Sequence, residues 1–297
     1  MHTVTTIQQI ASPTLDAVFL AITFLGNAEA YIALLAVIYL AVNARLGRQA
    51  GVYLLLSAFL NAHLKEIAHT ARPFEVNPGV VRGDLALDTA GGASFPSGHA
   101  QMSATFWGYL AVRVHRGWFW GVSIALVALI SFSRLYLGVH WPVDIWGGLG
   151  IAVLVILLAL ATDRYVVPRL RMWPRPLLFT LGLLVPFALH LVLGTNDSDL
   201  LLGAMAGFLT APMVVTHRVP RGFWRRVALA TGGLVVIAAL ILGSSALLPD
   251  VVKDSALGGF LRYLAVAYVG LALIPWLARR VGLAPDEGQE PTTAGPV

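Results

Sequence analysis

The 297-residue chain contains no cysteine. That excludes disulfide staples, thiolate nucleophiles and cysteine-ligated zinc, and it makes either side of a membrane redox-compatible. Charge is scarce too: Asp, Glu, Lys and Arg together make up 12% of the residues, against about 25% in an ordinary soluble domain. Lysine is nearly missing, with two against eighteen arginines. What fills the chain instead is apolar. At 58% hydrophobic residues and a mean hydropathy of +0.77 it belongs in a membrane. A soluble nucleic-acid binder is excluded as a class despite the net charge of +5, and the basicity has to be explained by topology.

A membrane helix needs about 20 mostly apolar residues, and such runs recur along the chain. Nine spans are expected, near residues 27–45, 50–65, 99–113, 118–134, 141–162, 175–193, 200–216, 223–247 and 257–277. The predicted fold class is therefore all-α, a polytopic membrane helix bundle of about nine transmembrane helices plus an N-terminal amphipathic helix. In that first segment, residues 1–26, Ile7, Ile10, Ala11, Leu15, Val18, Ile22 and Leu25 keep helical spacing, while Thr5, Gln8, Gln9, Ser12 and Asp16 take the other face. A tilted tenth span through these residues is the alternative, and Pro13 with Asp16 does not match a cleavable signal. The expected organisation continues with a core over residues 27–162, four additional helices over 163–283, and a disordered cytoplasmic tail, 284–297, rich in Pro, Gly, Thr and acids.

Short loops rich in basic residues stay in the cytoplasm. Arg45 and Arg48, Arg113 and Arg116, the four arginines of 164–175, the four of 218–226, and Arg279 with Arg280 fall on alternate loops, fourteen of the twenty basic residues on one side. The opposite loops hold Glu75, Asp84, Asp88, Asp197, Asp199, Asp250 and Asp254, so that side is expected to face outward. Its longest loop, residues 74–95, contains Pro78 and four glycines and is long enough to act as a lid or binding loop.

Ionisable residues beside spans are costly, and a cluster of them marks a candidate site. Three outward segments supply one. Lys65 and Arg72 stand seven apart, so on a continuing helix they share a face and can grip one anion, before Pro73 ends that helix. Pro96-Ser97-Gly98-His99 opens the third span, where helix-end N–H groups, the Ser97 hydroxyl and the small Gly98 suit a phosphate and His99 suits proton donation. Ser133-Arg134 is followed by His140 and Asp144, four apart; a carboxylate there holds one imidazole nitrogen as N–H and leaves the other as a nucleophile, with Arg134 clamping oxygens.

In these residues the chain resembles the type 2 phosphatidic acid phosphatase superfamily of membrane lipid phosphatases. Its three-part signature is matched at all eleven positions, Lys65, Arg72, Pro73, Pro96, Ser97, Gly98, His99, Ser133, Arg134, His140 and Asp144. The resemblance covers roughly residues 5–162. In its extra C-terminal helices the chain looks like the sphingosine-phosphate and glucose-6-phosphate phosphatase branches. The resemblance implies that Lys65, Arg72, Ser97, Gly98 and Arg134 bind phosphate. It also implies that His140 attacks phosphorus, that Asp144 orients His140, and that His99 protonates the leaving alcohol and then activates water. No metal and no cofactor is implied. The implied partners are an amphipathic lipid phosphate, such as undecaprenyl diphosphate, phosphatidate, phosphatidylglycerol phosphate or a sphingoid-base phosphate, and the surrounding membrane lipids, with no nucleic acid.

The expected location is a bacterial plasma (inner) membrane, with the site outside and the C-terminus in the cytoplasm. A phosphotransferase using the same histidine and a non-hydrolytic lipid transporter are the competing functions. A vanadium-dependent haloperoxidase shares the signature but is a soluble protein. His2, His63, His115, His190 and His217 are read as packing residues, His69 is left out of the site, and Asp197 and Asp199 are read as a solvated loop. Positive-inside topology accounts for the arginines at 164–175 and 218–226.

Overall fold

Polar residues and prolines between the apolar runs decide where helices start. Ser12 caps one, its Oγ accepting from the Leu15 N–H at 3.3 Å with Pro13 in the first turn, and Pro142 opens another. The computed structural model describes residues 2–285, the side chains of Asn196 and Asp197 excepted, and contains no strand among them. The predicted tail therefore lies almost wholly outside the described residues. The chain divides into two units, Met1–Ala33 with Gln49–Pro174, and Leu34–Arg48 with the chain from Arg175 onward.

The first unit contains α1 (His2–Ile7), α2 (Pro13–Phe24), the start of α3 (Ala28–Val37), most of α4 (Ala44–Ala68), the short α5 (Pro73–Val76) and α6 (Leu85–Asp88), then α7 (Gly98–Val114), α8 (Gly117–Tyr136) and α9 (Pro142–Ala161). A π-helical turn, Thr162–Val166, leads into α10 (Val167–Leu170). Helix α7 packs between α8 and α9, and α2 lies against α8. Asp163, in the π turn, ties α4, α7 and α9 together. Its carboxylate accepts from Gln49 Nε2 (2.9 Å), the Tyr53 hydroxyl (2.7 Å) and the Tyr109 hydroxyl (2.8 Å).

The N-terminal segment differs from the single amphipathic helix expected. It is two helical pieces, residues 2–10 and 13–24, meeting at 115°. The break falls at Ser12-Pro13, where a cap and a residue without an N–H end one helix and start the next. Gln8 and Asp16 of its polar face dock on protein, whereas Thr5 and Gln9 are exposed. Gln8 Nε2 donates to the carbonyls of Val80 (2.7 Å) and Tyr136 (2.8 Å), and Asp16 accepts from the Tyr136 hydroxyl (2.6 Å) and pairs with Arg82 (3.0 Å). Phe19, Ala86, Ala90, Tyr136, Leu137 and Val139 form the buried cluster beneath.

Five helical stretches are long and apolar enough to cross a bilayer: Gly117–Tyr136, Pro142–Leu170, Arg175–Leu193, Phe223–Leu247 and Ala256–Arg280. The bent N-terminal pair is a sixth candidate, and Ala28–Val42 and Ser198–Val214 are apolar but shorter. The expected count of nine is larger for two physical reasons: α4 carries Arg45, Arg48, Lys65 and Glu66, and α7 is only 17 residues long.

The second unit holds α11 (Arg175–Leu193), α12 (Asn196–Val214), α13 (Phe223–Leu247), α14 (Asp250–Lys253) and α15 (Ala256–Tyr268). A π turn over Val269–Leu273 leads from α15 to α16 (Ile274–Arg280). Helix α12 packs against α11 and α15. The α12–α15 approach depends on Gly203, where a Cβ would sit 2.0 Å from the Phe260 carbonyl oxygen, the small-residue contact by which membrane helices come close. Asp199, expected in a solvated loop, is instead buried at 1% exposure, with Oδ1 2.6 Å from His190 Nδ1. The Phe187 and Phe260 rings pack on that histidine. A carboxylate among apolar helices needs a partner, and His190 supplies one.

Candidate active site

All eight residues proposed from sequence for catalysis or phosphate binding lie in the first unit, on four segments. Five of them are almost fully enclosed: Arg72 is 1% exposed, Ser97 0%, Arg134 0%, His140 2% and Asp144 1%.

The geometry is built on Asp144, in the first turn of α9. Its Oδ2 accepts from the Ser94 hydroxyl at 2.5 Å, from the Trp141 N–H at 2.7 Å and from His140 Nδ1 at 3.3 Å. The other imidazole nitrogen, Nε2, lies 3.3 Å from Arg72 Nη1. Arginine can only donate, so this network assigns the lone pair to Nε2 and the proton to Nδ1. Burial holds the His140 pKa well below the ordinary histidine value, and Arg134, Arg72 and Lys65 push it the same way. The ring is thus neutral, with its basic nitrogen turned towards a guanidinium.

The three cations converge by a different route from the one expected. Helix α4 ends at Ala68, and His69, exposed and at φ +45°, turns the chain out of it. Lys65 and Arg72 therefore do not share one continuous helical face. They meet over the far end of the long loop. Lys65 Nζ donates to the carbonyls of Gly91 (3.1 Å) and Ala93 (2.8 Å), and Arg72 donates to Gly91 (2.6 Å), Gly92 (2.9 Å) and Val139 (2.9 Å). Arg134 Nη1 donates to the hydroxyls of Thr23 (2.7 Å) and Thr89 (2.8 Å), and Nη2 to the Thr89 carbonyl (3.1 Å). Its Nε–H is buried without a partner among the described residues. A buried guanidinium donor left open is a place for an anion's oxygen.

Ser97 caps α7, its Oγ taking the Ala100 N–H at 3.5 Å, and its own N–H donates to the Asp144 carbonyl at 3.0 Å. Gly98 and His99 form the first turn, where N–H groups have no intrahelical acceptor. The loop before it is held against α9 at Gly148, where a Cβ would come 2.7 Å from the Ser97 carbonyl oxygen. Asn61 Nδ2 donates to the Pro96 carbonyl (3.3 Å) and to Gln101 Oε1 (2.8 Å), which fixes the same loop to α4 and α7. His99 Nε2 lies 2.8 Å from Asn27 Oδ1. No group of three or more His, Asp or Glu side chains able to hold a metal ion occurs among the described residues.

Sequence reasoning missed Ser94, Thr23, Thr89, Asn27 and Asn61. The signature gave no signal for them, and Asn27 was read only as the edge of a span. Ser94 alone was open to inference, as the one hydroxyl residue between the glycines and the Pro-Ser-Gly-His run. Beside the site, Trp141 donates from Nε1 to the Ala71 carbonyl (2.9 Å), and Trp146 is exposed.

An imidazole set between a carboxylate and a guanidinium, with two more cations focused on it, is an arrangement chemically able to hold and attack a phosphate among apolar helices. The chain belongs to the PAP2 superfamily. The superfamily's model matches residues 46–168, and the model of the PAP2 superfamily phosphatase transmembrane extension matches residues 198–286. Similar proteins include lipid phosphate phosphatase delta of Arabidopsis thaliana, 30% identical over 171 residues, which cover 53% of this chain and 41% of that protein. A second is the putative undecaprenyl-diphosphatase YbjG of Escherichia coli, 36% identical over 98 residues, 33% of this chain and 47% of that one. A third is phosphatidylglycerophosphatase B of Bacillus subtilis, 27% identical over 169 residues, 52% of this chain and 78% of that one. The chain spans less than half the length of the first two. No solved structure matches it.

Proposed function

We propose that the protein is an integral-membrane lipid phosphate or diphosphate phosphatase that works through a phosphohistidine on His140. The observation that carries this reading is the imidazole held between Asp144 at Nδ1 and Arg72 at Nε2. In the first step Nε2 attacks phosphorus. The P–O bond to the lipid alcohol breaks, and His99, as the imidazolium with its Nε2–H on Asn27 Oδ1, gives the departing oxygen its Nδ1 proton and is left neutral. Asp144 stabilises the positive charge that develops on the His140 ring. In the second step His99 takes a proton from water, the oxygen attacks phosphorus, and the P–N bond breaks to release phosphate and neutral His140. Lys65, Arg72 and Arg134, with the Ser97 and Gly98 end of α7, neutralise the equatorial oxygens. To do so the phosphate takes over from the loop carbonyls of Thr89 and Gly91 to Ala93 that these cations now hold.

The substrate class follows from the setting. A site at the ends of apolar helices takes an amphipathic phosphate whose tail remains in lipid, and the names of the relatives, a lipid phosphate phosphatase, an undecaprenyl-diphosphatase and a phosphatidylglycerophosphatase, support that class. The alternating arginine loops support nine spans with the site facing outward. The test is phosphate release in detergent with EDTA from undecaprenyl diphosphate, phosphatidate and sphingosine phosphate. Wild type is expected to release phosphate from at least one of them, and His140→Ala to be slower by at least about a thousandfold. Equal release by both proteins would contradict the proposal, as would phosphate recovered only on a second lipid.

A further inference from the structure

The N-terminal segment reaches the site from outside the signature. Helix α2 lies against α8, and its last turn and the step into α3 carry Thr23, Gly26 and Asn27. None of the three falls within residues 46–168, the stretch that the superfamily's model matches. Yet they touch two signature residues. Thr23, buried at 2% exposure, takes an N–H from Arg134 Nη1 at 2.7 Å, and Asn27 Oδ1 lies 2.8 Å from His99 Nε2 across 72 residues of chain. Gly26 stands against the same ring: a Cβ there would come 2.6 Å from His99 Cδ2, 3.3 Å from its Cγ and 2.9 Å from Ile130 Cγ2. The segment therefore covers the Cγ–Cδ2–Nε2 edge of the imidazole and leaves the Nδ1 edge uncovered.

Asn27 directly precedes α3, where an asparagine ordinarily caps the helix with its side-chain oxygen. Its main-chain carbonyl does accept the Tyr31 N–H at 3.4 Å, but the side-chain oxygen is on His99 instead. Capping explains an asparagine in front of a helix. It does not explain the oxygen's place on the ring that moves protons. An imidazolium donates from both nitrogens, which assigns Oδ1 and not Nδ2 to this contact. An amide oxygen only accepts, so it keeps a proton on Nε2 whether the ring is charged or neutral. Only Nδ1 then exchanges protons. It gives one to the departing alcohol oxygen as the P–N bond to His140 forms and the P–O bond breaks, and it takes one from water as the new P–O bond forms and the P–N bond breaks. Without the acceptor, a neutral ring holds its proton on either nitrogen, and part of the population presents an N–H to water where a lone pair is needed.

We propose that Asn27 is a positioning residue for His99, holding Nε2 as N–H so that Nδ1 alone carries the transferred proton, and that the α2–α3 step is thereby part of the site. The assignment rests on the phosphohistidine reading above, which supplies the two proton transfers.

The test uses the full-length chain in detergent and Asn27→Ser, which keeps a capping hydroxyl in front of α3 but is too short to reach His99. The substrate is an alkyl-bearing 4-nitrophenyl phosphate. Its nitrophenolate leaves without needing a proton, so only the second step depends on His99. Rapid-mixing absorbance follows the first turnover and the steady state, and gel filtration checks the fold. Asn27→Ser is expected to release about one nitrophenolate per chain in a first phase within about threefold of the wild-type rate, followed by a steady state slower by about tenfold or more. His99→Ala is the reference and is expected to show the same split in larger form. If His99→Ala shows the burst, while folded Asn27→Ser slows both phases alike or leaves both at wild type, the proposal is overturned, and a uniform slowing would give Asn27 a structural role only. If neither variant shows a burst, the phosphohistidine reading itself fails and the assignment falls with it.

Discussion

Replacing Ser94 by alanine tests the positioning of the attacking ring without touching the ring, the carboxylate or any cation. The hydroxyl donates to Asp144 Oδ2 at 2.5 Å, the shortest of three bonds on that oxygen. Hydrogen bonds to charged groups contribute about 1.5–3 kcal/mol. The Trp141 N–H and His140 Nδ1 remain as donors, so the carboxylate is not left unsatisfied, and the lower figure applies. About 1.5 kcal/mol at the transition state is roughly a tenfold fall in kcat/KM. The assay is phosphate release from the best of the three lipids, with circular dichroism and gel filtration to show that the variant is folded. The pair with Asp144→Asn shows whether Ser94 acts through the carboxylate. Asp144→Asn alone is expected to be slower than Ser94→Ala, and adding Ser94→Ala to it should cost less than threefold, because the bond it removes is already weakened. A Ser94→Ala enzyme within twofold of wild type, or a full tenfold effect on top of Asp144→Asn, would refute the reasoning.

Three further outcomes follow from the same geometry. Burial and three cations hold His140 well below the ordinary histidine pKa, so the nucleophile is neutral through the neutral range and loses activity only when acid protonates it; the acid limb of kcat/KM, which reports the free enzyme, is expected below about pH 6.5, and a limb centred above about pH 7 would contradict it. Gly148→Ala puts a Cβ 2.7 Å from the Ser97 carbonyl oxygen, a backbone atom that has to move, so a loss of activity of about tenfold or more is expected while the helical content measured by circular dichroism is retained; wild-type kcat/KM would show that the Ser97 loop need not sit so close to α9. Thr89→Val removes a hydroxyl acceptor from Arg134 Nη1 but not the Thr89 carbonyl from Nη2, so KM is expected to rise several-fold with a smaller change in kcat, and a change confined to kcat would argue that Arg134 does not act in substrate binding.

The part of this site that was legible in the sequence is the part made of residues with distinctive chemistry at fixed spacing. His140 and Asp144, four apart with Pro142 between them, announced a carboxylate-oriented imidazole, and a helix amino terminus at Gly98 followed from the Pro-Ser-Gly-His order before an apolar run, although the capping of that helix by Ser97 did not. Ser94, Thr23 and Thr89 were not legible, because a serine or threonine acquires such a role only when chain folding sets it against a charge. Ser94 meets Asp144 across 50 residues of chain and Thr23 meets Arg134 across 111. The route by which Lys65 and Arg72 converge was misread because helix periodicity was carried past Ala68, whereas the left-handed His69 ends the helix and the loop carbonyls of residues 91–93 draw the two cations together. At the N-terminus the apolar spacing was correctly seen. The Ser12-Pro13 break was available in the same residues, but the burial of Gln8 and Asp16 against distant carbonyls and Arg82 was not, since amphipathic patterns cannot tell a polar face in water from one that docks on protein. The pairing of Asp199 with His190 is the same lesson across nine residues.

The central claim is that phosphorus is bonded to His140 during turnover. Mixing enzyme with an excess of ³²P-labelled lipid substrate and quenching in alkali within milliseconds tests it directly, because a phosphohistidine survives alkali and is lost in acid. The account predicts acid-labile label approaching one per active chain, mapped by peptide sequencing to His140, absent from His140→Ala and longer-lived in His99→Ala. Turnover without labelled protein when the second step is slowed by His99→Ala, or label that persists in His140→Ala, would contradict it.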